Sequence, residues 1–190
     1  MLILGPQGSG KGTQAKRIAA KYGVPHVATG DMLREAMAQG TELGLRVKPI
    51  YDAGALVPDE LMVDLIRERL SQADTAPGFV LDGFPRTLGQ AEALDAMLGD
   101  IGRRLDAILE LVVPEQVAVD RMLARADLEG RSDDTPEAIH KRLDLYYEQT
   151  EPVVEHYRAT GKLVGIHGDR TVVEVFREIQ DALEQAGATA

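Results

Sequence analysis

Short apolar runs alternate with amphipathic stretches along this chain, and the alternation predicts strands followed by helices. Residues 1–4 are an apolar run that leads straight into glycines, and residues 11–22 follow with Ile18, Ala19 and Tyr22 at helical spacing. Further apolar runs of strand length stand at residues 24–28, 79–81, 107–113 and 163–166, each followed by a turn or polar segment and then a helical pattern. Strands alternating with helices predict a three-layer α/β fold, with a parallel sheet of about five strands covered by helices on both faces.

The helix boundaries carry chemical marks as well. Pro58, Pro114 and Pro136 read as first-turn residues, where a missing N–H costs nothing. Thr171 with Glu174 spells a capping box for the last helix. From residue 135 to 157, Ile139, Leu143, Tyr146, Val153, Val154 and Tyr157 mark a long amphipathic helix that Pro152 is expected to kink or interrupt. Two stretches depart from the alternation. Residues 29–57 read as helical throughout with no strand between, and residues 126–135 are short, polar and charged. Both are expected to be mobile inserts on a single domain whose core is 1–28, 58–125 and 136–190. Residues 187–190 are expected to fray.

Composition narrows the partners. A chain of 190 residues, 44% apolar, is long enough for one good core. Its 31 acidic and 21 basic residues leave a net charge of −10, which repels nucleic acid and anionic membranes. With three Phe, five Tyr and no Trp, it also lacks the interleaved aromatics of a single-strand binder. Neither nucleic acid nor membrane is therefore an expected partner, and an anionic ligand needs a local basic cluster. Fifteen of the basic residues are Arg and six are Lys, and the planar Arg fork matches phosphate oxygens in pairs. The chain has no cysteine, hence no disulfide or thiolate metal site. It shows no secretory leader and no apolar run near the ~20 residues of a bilayer span, so a cytoplasmic location is expected.

Residues 5–13, GPQGSGKGT, have the spacing of a phosphate-binding loop: glycines five apart, a lysine after the second, and a hydroxyl close behind. Glycines let successive N–H groups turn into one cavity, the following helix adds its positive end, and Lys11 supplies a point charge for the outer phosphates. Gly8, Ser9, Gly10, Lys11, Gly12 and Thr13 are the expected phosphate-binding residues. In this variant Gly12 follows Lys11 directly and the hydroxyl stands one place later, at Thr13. By itself the loop implies only that some phosphate chain is held. Further on, residues 79–82 form an apolar strand ending in Asp82, an arrangement by which such enzymes hold the water shell of Mg²⁺ beside phosphates.

GPQGSGKGT at 5–13, ATGDMLR at 28–34, DAGALVPDEL at 52–61, DGFPRT at 82–87 and GRSDD at 130–134 resemble, in order, the signatures of adenylate kinases. The resemblance covers nearly the whole chain and implies the P-loop NTPase-type fold, with residues 29–57 as the AMP-binding insert and 126–135 as a lid. It implies reversible transfer of the terminal phosphoryl group of Mg·ATP to AMP, giving two ADP, by a monomer. It places Arg34 and Arg86 on the AMP phosphate, Gly83, Phe84 and Pro85 against AMP, Ala55, Leu56 and Val57 along the adenine, and Thr29 and Gln90 toward the base. It likewise puts Arg125 on ATP, Arg131 and Arg142 on the transferring phosphates and AMP, and the backbone at Arg170 on the ATP adenine. Lys11, Arg86, Arg121, Arg125, Arg131 and Arg142 are then the expected catalytic cations, and Asp82 holds Mg²⁺ through water. Many members carry a long lid hairpin, in some of them held by zinc. Here only five residues separate Arg125 from Arg131 and there are no cysteines, so the lid is expected to be short and zinc-free.

Two other readings compete. A UMP/CMP kinase shares the phosphate machinery and differs in base contacts, where Thr29 and Gln90 favour adenine. A P-loop protein that binds ATP as a switch would need no Arg34, Arg86 and Gln90 together.

Overall fold

A computed structural model describes residues 1–129 and 135–187. Gly130 to Asp134, with Arg131 and half of the expected lid, lie outside the described residues, as do 188–190 of the expected frayed end. Five strands, β1 (Leu2–Leu4), β2 (His26–Ala28), β3 (Val80–Asp82), β4 (Ile108–Val112) and β5 (Leu163–His167), form one sheet in the order β2-β3-β1-β4-β5. Every pairing is parallel. The strand count and direction are as expected, with ends shifted by one or two residues.

Alternation along the strands divides the core between the two faces of the sheet. Ile3, Val80, Leu109, Leu111 and Ile166 pack against Ala15 and Ile18 of α1 (Lys11–Tyr22) and Val175, Ile179 and Leu183 of α9 (Val172–Gln185). Their neighbours Leu2, Leu4, Val27, Leu81 and Ile108 point the other way. They meet Ile66 of α4 (Asp59–Leu70), Leu94 of α5 (Leu88–Asp100) and Tyr157 of α8 (Glu151–Arg158). Burying a Leu or Ile fully contributes about 1.5–3 kcal/mol, so strands of three to five residues suffice when both faces are covered. Among the described residues, no helix is long and apolar enough to cross a membrane.

The segment 29–57 is not one helical run. It comprises α2 (Thr29–Ala38) and α3 (Glu42–Asp52), with 53–57 outside any helix. Gly40, at φ 63°, turns the chain after α2, and the Thr41 side chain accepts the Gly44 N–H to start α3. The helices lie so close that a Cβ on Gly44 would stand 2.1 Å from the Ala36 carbonyl oxygen. The long helix expected over 135–157 is α7 (Pro136–Leu145), a π-helical turn at Tyr146–Thr150, and α8. The wide turn comes immediately before Pro152, where a regular helix would need the missing N–H and clash with the ring. Pro136 opens α7 as expected, whereas Pro58 and Pro114 stand one residue before α4 and α6 (Glu115–Glu129). The capping box of α9 has both of its bonds.

Candidate active site

The strands β1, β2 and β3 run in one direction, so the loops at their carboxyl ends converge, the usual ligand position of an open α/β sheet. A cavity of about 350 Å³ lies there. Its wall takes Gly8, Gly10, Lys11, Gly12 and Thr13 from the phosphate loop and α1, Arg34 from α2, and Ala55 and Leu56 from the end of the insert. Asp82, Gly83 and Arg86 come from the end of β3 and its loop, Arg121 and Arg125 from α6, and Arg142 from α7.

The loop after β1 is curled and packed at once. Gly8 and Gly10 take φ of 78° and 95°, which side chains rarely adopt. A Cβ on Gly8 would also stand 2.3 Å from the Ala118 carbonyl oxygen of α6. Thr41, Thr87, Thr135 and Thr171 cap α3, α5, α7 and α9 with their side chains. Helix α1 instead begins without a side-chain cap and with no acidic residue in its first turn. Its leading N–H groups and positive end are thus suited to an anion. Lys11 donates from Nζ to the carbonyl oxygens of Gly5 and Pro6 at 2.6 and 2.7 Å. Burial lowers its pKa to about 8; Asp82 opposes the shift, while Arg86, Arg142 and Arg125 add to it. A buried ammonium that faces three guanidinium groups, with Asp82 as its opposing charge, is better stabilised when a phosphate chain adds negative charge.

Asp82 closes β3, with its side chain 13% exposed and Oδ2 3.2 Å from His26 Nε2. A carboxylate and the Thr13 hydroxyl, both on the cavity wall, are hard oxygen donors. They fit magnesium, which keeps several waters and takes one or two carboxylates beside phosphate oxygens. Among the described residues, no group of three or more His, Cys, Asp or Glu could hold a metal, so phosphates and water would complete the ion's shell.

Also in the lining, Arg34 donates to the Tyr51 hydroxyl of α3 and pairs with Asp31 one helical turn before it. Arg86 is anchored through its backbone and its side chain: Nε donates to the Gly83 carbonyl at 2.8 Å, and its own carbonyl accepts the Thr150 hydroxyl at 2.9 Å. Arg121 donates from Nη1 to the Gly168 carbonyl at 2.8 Å and the Ser9 carbonyl at 3.4 Å. It thereby ties the phosphate loop to the loop between β5 and α9.

Other expected site residues are not among those that line the cavity. Ser9, Thr29, Val57, Phe84 and Gln90 are buried, and Phe84 and Pro85 line a second pocket of about 40 Å³ with Tyr146 and Thr150. Arg170 pairs with Glu178 at 3.3 Å on the exposed side of α9. Asp31, which stands with Thr29, Gly30 and Arg34 at the end of a strand and the start of a helix, lines the cavity too, whereas His26, Tyr51 and Thr150 line it without having been expected.

The family model described as Adenylate kinase matches residues 3–162, a span that includes every described element of this cavity. The chain belongs to the adenylate kinase family. An adenylate kinase of Stenotrophomonas maltophilia is 47% identical over 184 residues, covering 97% of this chain and 98% of the relative. Adenylate kinases of Archaeoglobus fulgidus and Kosmotoga olearia are 42% and 44% identical over 212 and 211 aligned residues, again covering 97% of this chain and 98% of the relative. Alignments longer than the 190 residues present here mean that these two relatives carry segments this chain lacks. The chain is an ATP:AMP phosphotransferase, moving the terminal phosphoryl group of Mg·ATP to AMP and back. The pyrimidine-kinase and switch readings are not favoured.

Proposed function

We propose that both nucleotides occupy the one cavity together, ATP on the phosphate loop and AMP against the insert, so that the phosphoryl group passes directly between them. The convergence of Lys11, Arg34, Arg86, Arg125 and Arg142 from separate segments of the chain carries this reading. Gly8 to Thr13 and Arg125 hold ATP, with the backbone near Arg170 beside its adenine. Arg34 and Arg86 take the AMP phosphate. Thr29, Ala55, Leu56, Val57, Gly83, Phe84, Pro85 and Gln90 shape the AMP pocket, and Arg131 and Arg142 reach both nucleotides.

A phosphoryl group in flight spreads charge over its oxygens, and fixed cations on several sides stabilise that charge without a covalent intermediate. Arg121 keeps the loop in register with its neighbour and adds to the field. Asp82 would hold magnesium, through water, and the bound ion would neutralise phosphate charge. No zinc is required. Residues 29–57 and the short lid at 126–135 close over the phosphates and exclude water, which protects the phosphoryl group from hydrolysis. The enzyme works as a monomer in the cytoplasm.

The roles of the two walls separate in steady-state kinetics. Arg34→Ala is expected to raise KM for AMP on the order of tenfold or more while KM for ATP stays within about twofold. An equal rise in both would mean that Arg34 does not belong to the acceptor half.

A further inference from the structure

Gln90, in the first turn of α5, is 1% exposed, and two partners determine which way its amide points. Its Nε2 donates to Oδ1 of Asp59 at 2.7 Å, and its Oε1 accepts the backbone N–H of Arg86 at 2.8 Å. A carboxylate only accepts and a backbone N–H only donates, so reversing the amide destroys both bonds. Asp59 is itself anchored. It opens α4 directly after Pro58, and its Oδ2 accepts the Thr87 hydroxyl at 2.7 Å. The amide has one N–H and one lone pair left without a partner among the described residues.

We propose that Asp59 is a positioning residue for acceptor specificity, which locks the Gln90 amide so that the site accepts a 6-aminopurine and refuses a 6-oxopurine. The inference rests on the reading of Gln90 as a partner of the acceptor base. Adenine offers an amino donor beside the N1 acceptor. A 6-oxopurine offers the reverse, a carbonyl acceptor beside an N1–H donor. An amide free to turn over about its last torsion pairs with either base, whereas one held between an obligate acceptor and an obligate donor pairs with only one of them. Asp59, together with the Arg86 N–H and not Gln90 alone, therefore supplies the discrimination.

The test compares AMP with IMP as acceptors, with Mg·ATP as donor. Asp59→Asn preserves shape and can donate as well as accept, so it removes one of the amide's two obligate partners and leaves only the Arg86 N–H to oppose its reversal. The ratio of kcat/KM for AMP to that for IMP is expected to fall on the order of tenfold in this variant, with KM for ATP unchanged. A ratio within about threefold of the unsubstituted enzyme's overturns the proposal, because a merely structural Asp59 would weaken both acceptors alike. Gln90→Ala separates the two ways of failing. If it also leaves the ratio in place, the base contact lies elsewhere and the reading of Gln90 falls with the proposal. If it collapses the ratio and Asp59→Asn does not, only the lock is wrong. Should Asp59→Asn not fold, Asp59→Ser makes the same comparison.

Discussion

A buried ammonium that faces several guanidinium groups and one carboxylate gains stability when a further anion joins it, and Lys11 is in that position. Burial lowers its pKa to about 8, so free enzyme loses the Lys11 proton as pH rises through that value. Bound phosphates favour the charged form and raise the pKa again. ATP binding is therefore expected to take up a proton above pH 8 and none near pH 6.5, with affinity falling as pH climbs past 8. Titration calorimetry at pH 8.5 in buffers of different ionisation heat measures the uptake directly. Binding with no proton uptake at pH 8.5 contradicts this role. Lys11, Arg34, Arg86 and Asp82 were all legible in the sequence because each stands in a short motif with its chemistry beside it. The Asp82 contact with His26 was not, because it depends on β2 lying beside β3. The Asp59–Gln90 and Thr150–Arg86 contacts span 31 and 64 residues and exist only after packing.

At the scale of elements, the strands were legible because apolar runs buried on both faces leave a continuous signal. The period that identified helix over 29–57 did not show where it breaks, although Gly40 followed by Thr41 is a stop and start signal in its own right. The break matters because it folds α2 onto α3 and brings Arg34 to Tyr51. A methyl group added at Gly44 would have only 2.1 Å to the Ala36 carbonyl oxygen, so Gly44→Ala must push these helices apart. It is expected to raise KM for AMP several-fold, leaving KM for ATP unchanged, as initial rates at saturating partner substrate will reveal. Equal effects on both substrates would show that the hairpin supports the whole site instead of its acceptor half. The π-helical turn at Tyr146–Thr150 was anticipated only as an interruption by Pro152. Its form follows from tertiary contact, since Thr150 reaches Arg86 from within it.

The whole molecule carries a net charge of −10, yet the cavity at the carboxyl ends of β1, β2 and β3 gathers lysines and arginines. The strand order places the loops after β1 and β3 side by side, and the helices beyond them add cations from further along the chain. Selectivity for a nucleotide pair is thus a property of the assembled fold and not of any one motif. The most direct measurement incubates the pure enzyme with Mg·ATP and, separately, AMP, UMP, CMP or GMP, and follows nucleoside diphosphates and free phosphate. ATP and AMP are expected to give two ADP, reversibly, with little free phosphate and slower use of the other acceptors. Phosphate release without an acceptor, or faster use of UMP or CMP, would contradict a site built to pass a phosphoryl group from ATP to AMP.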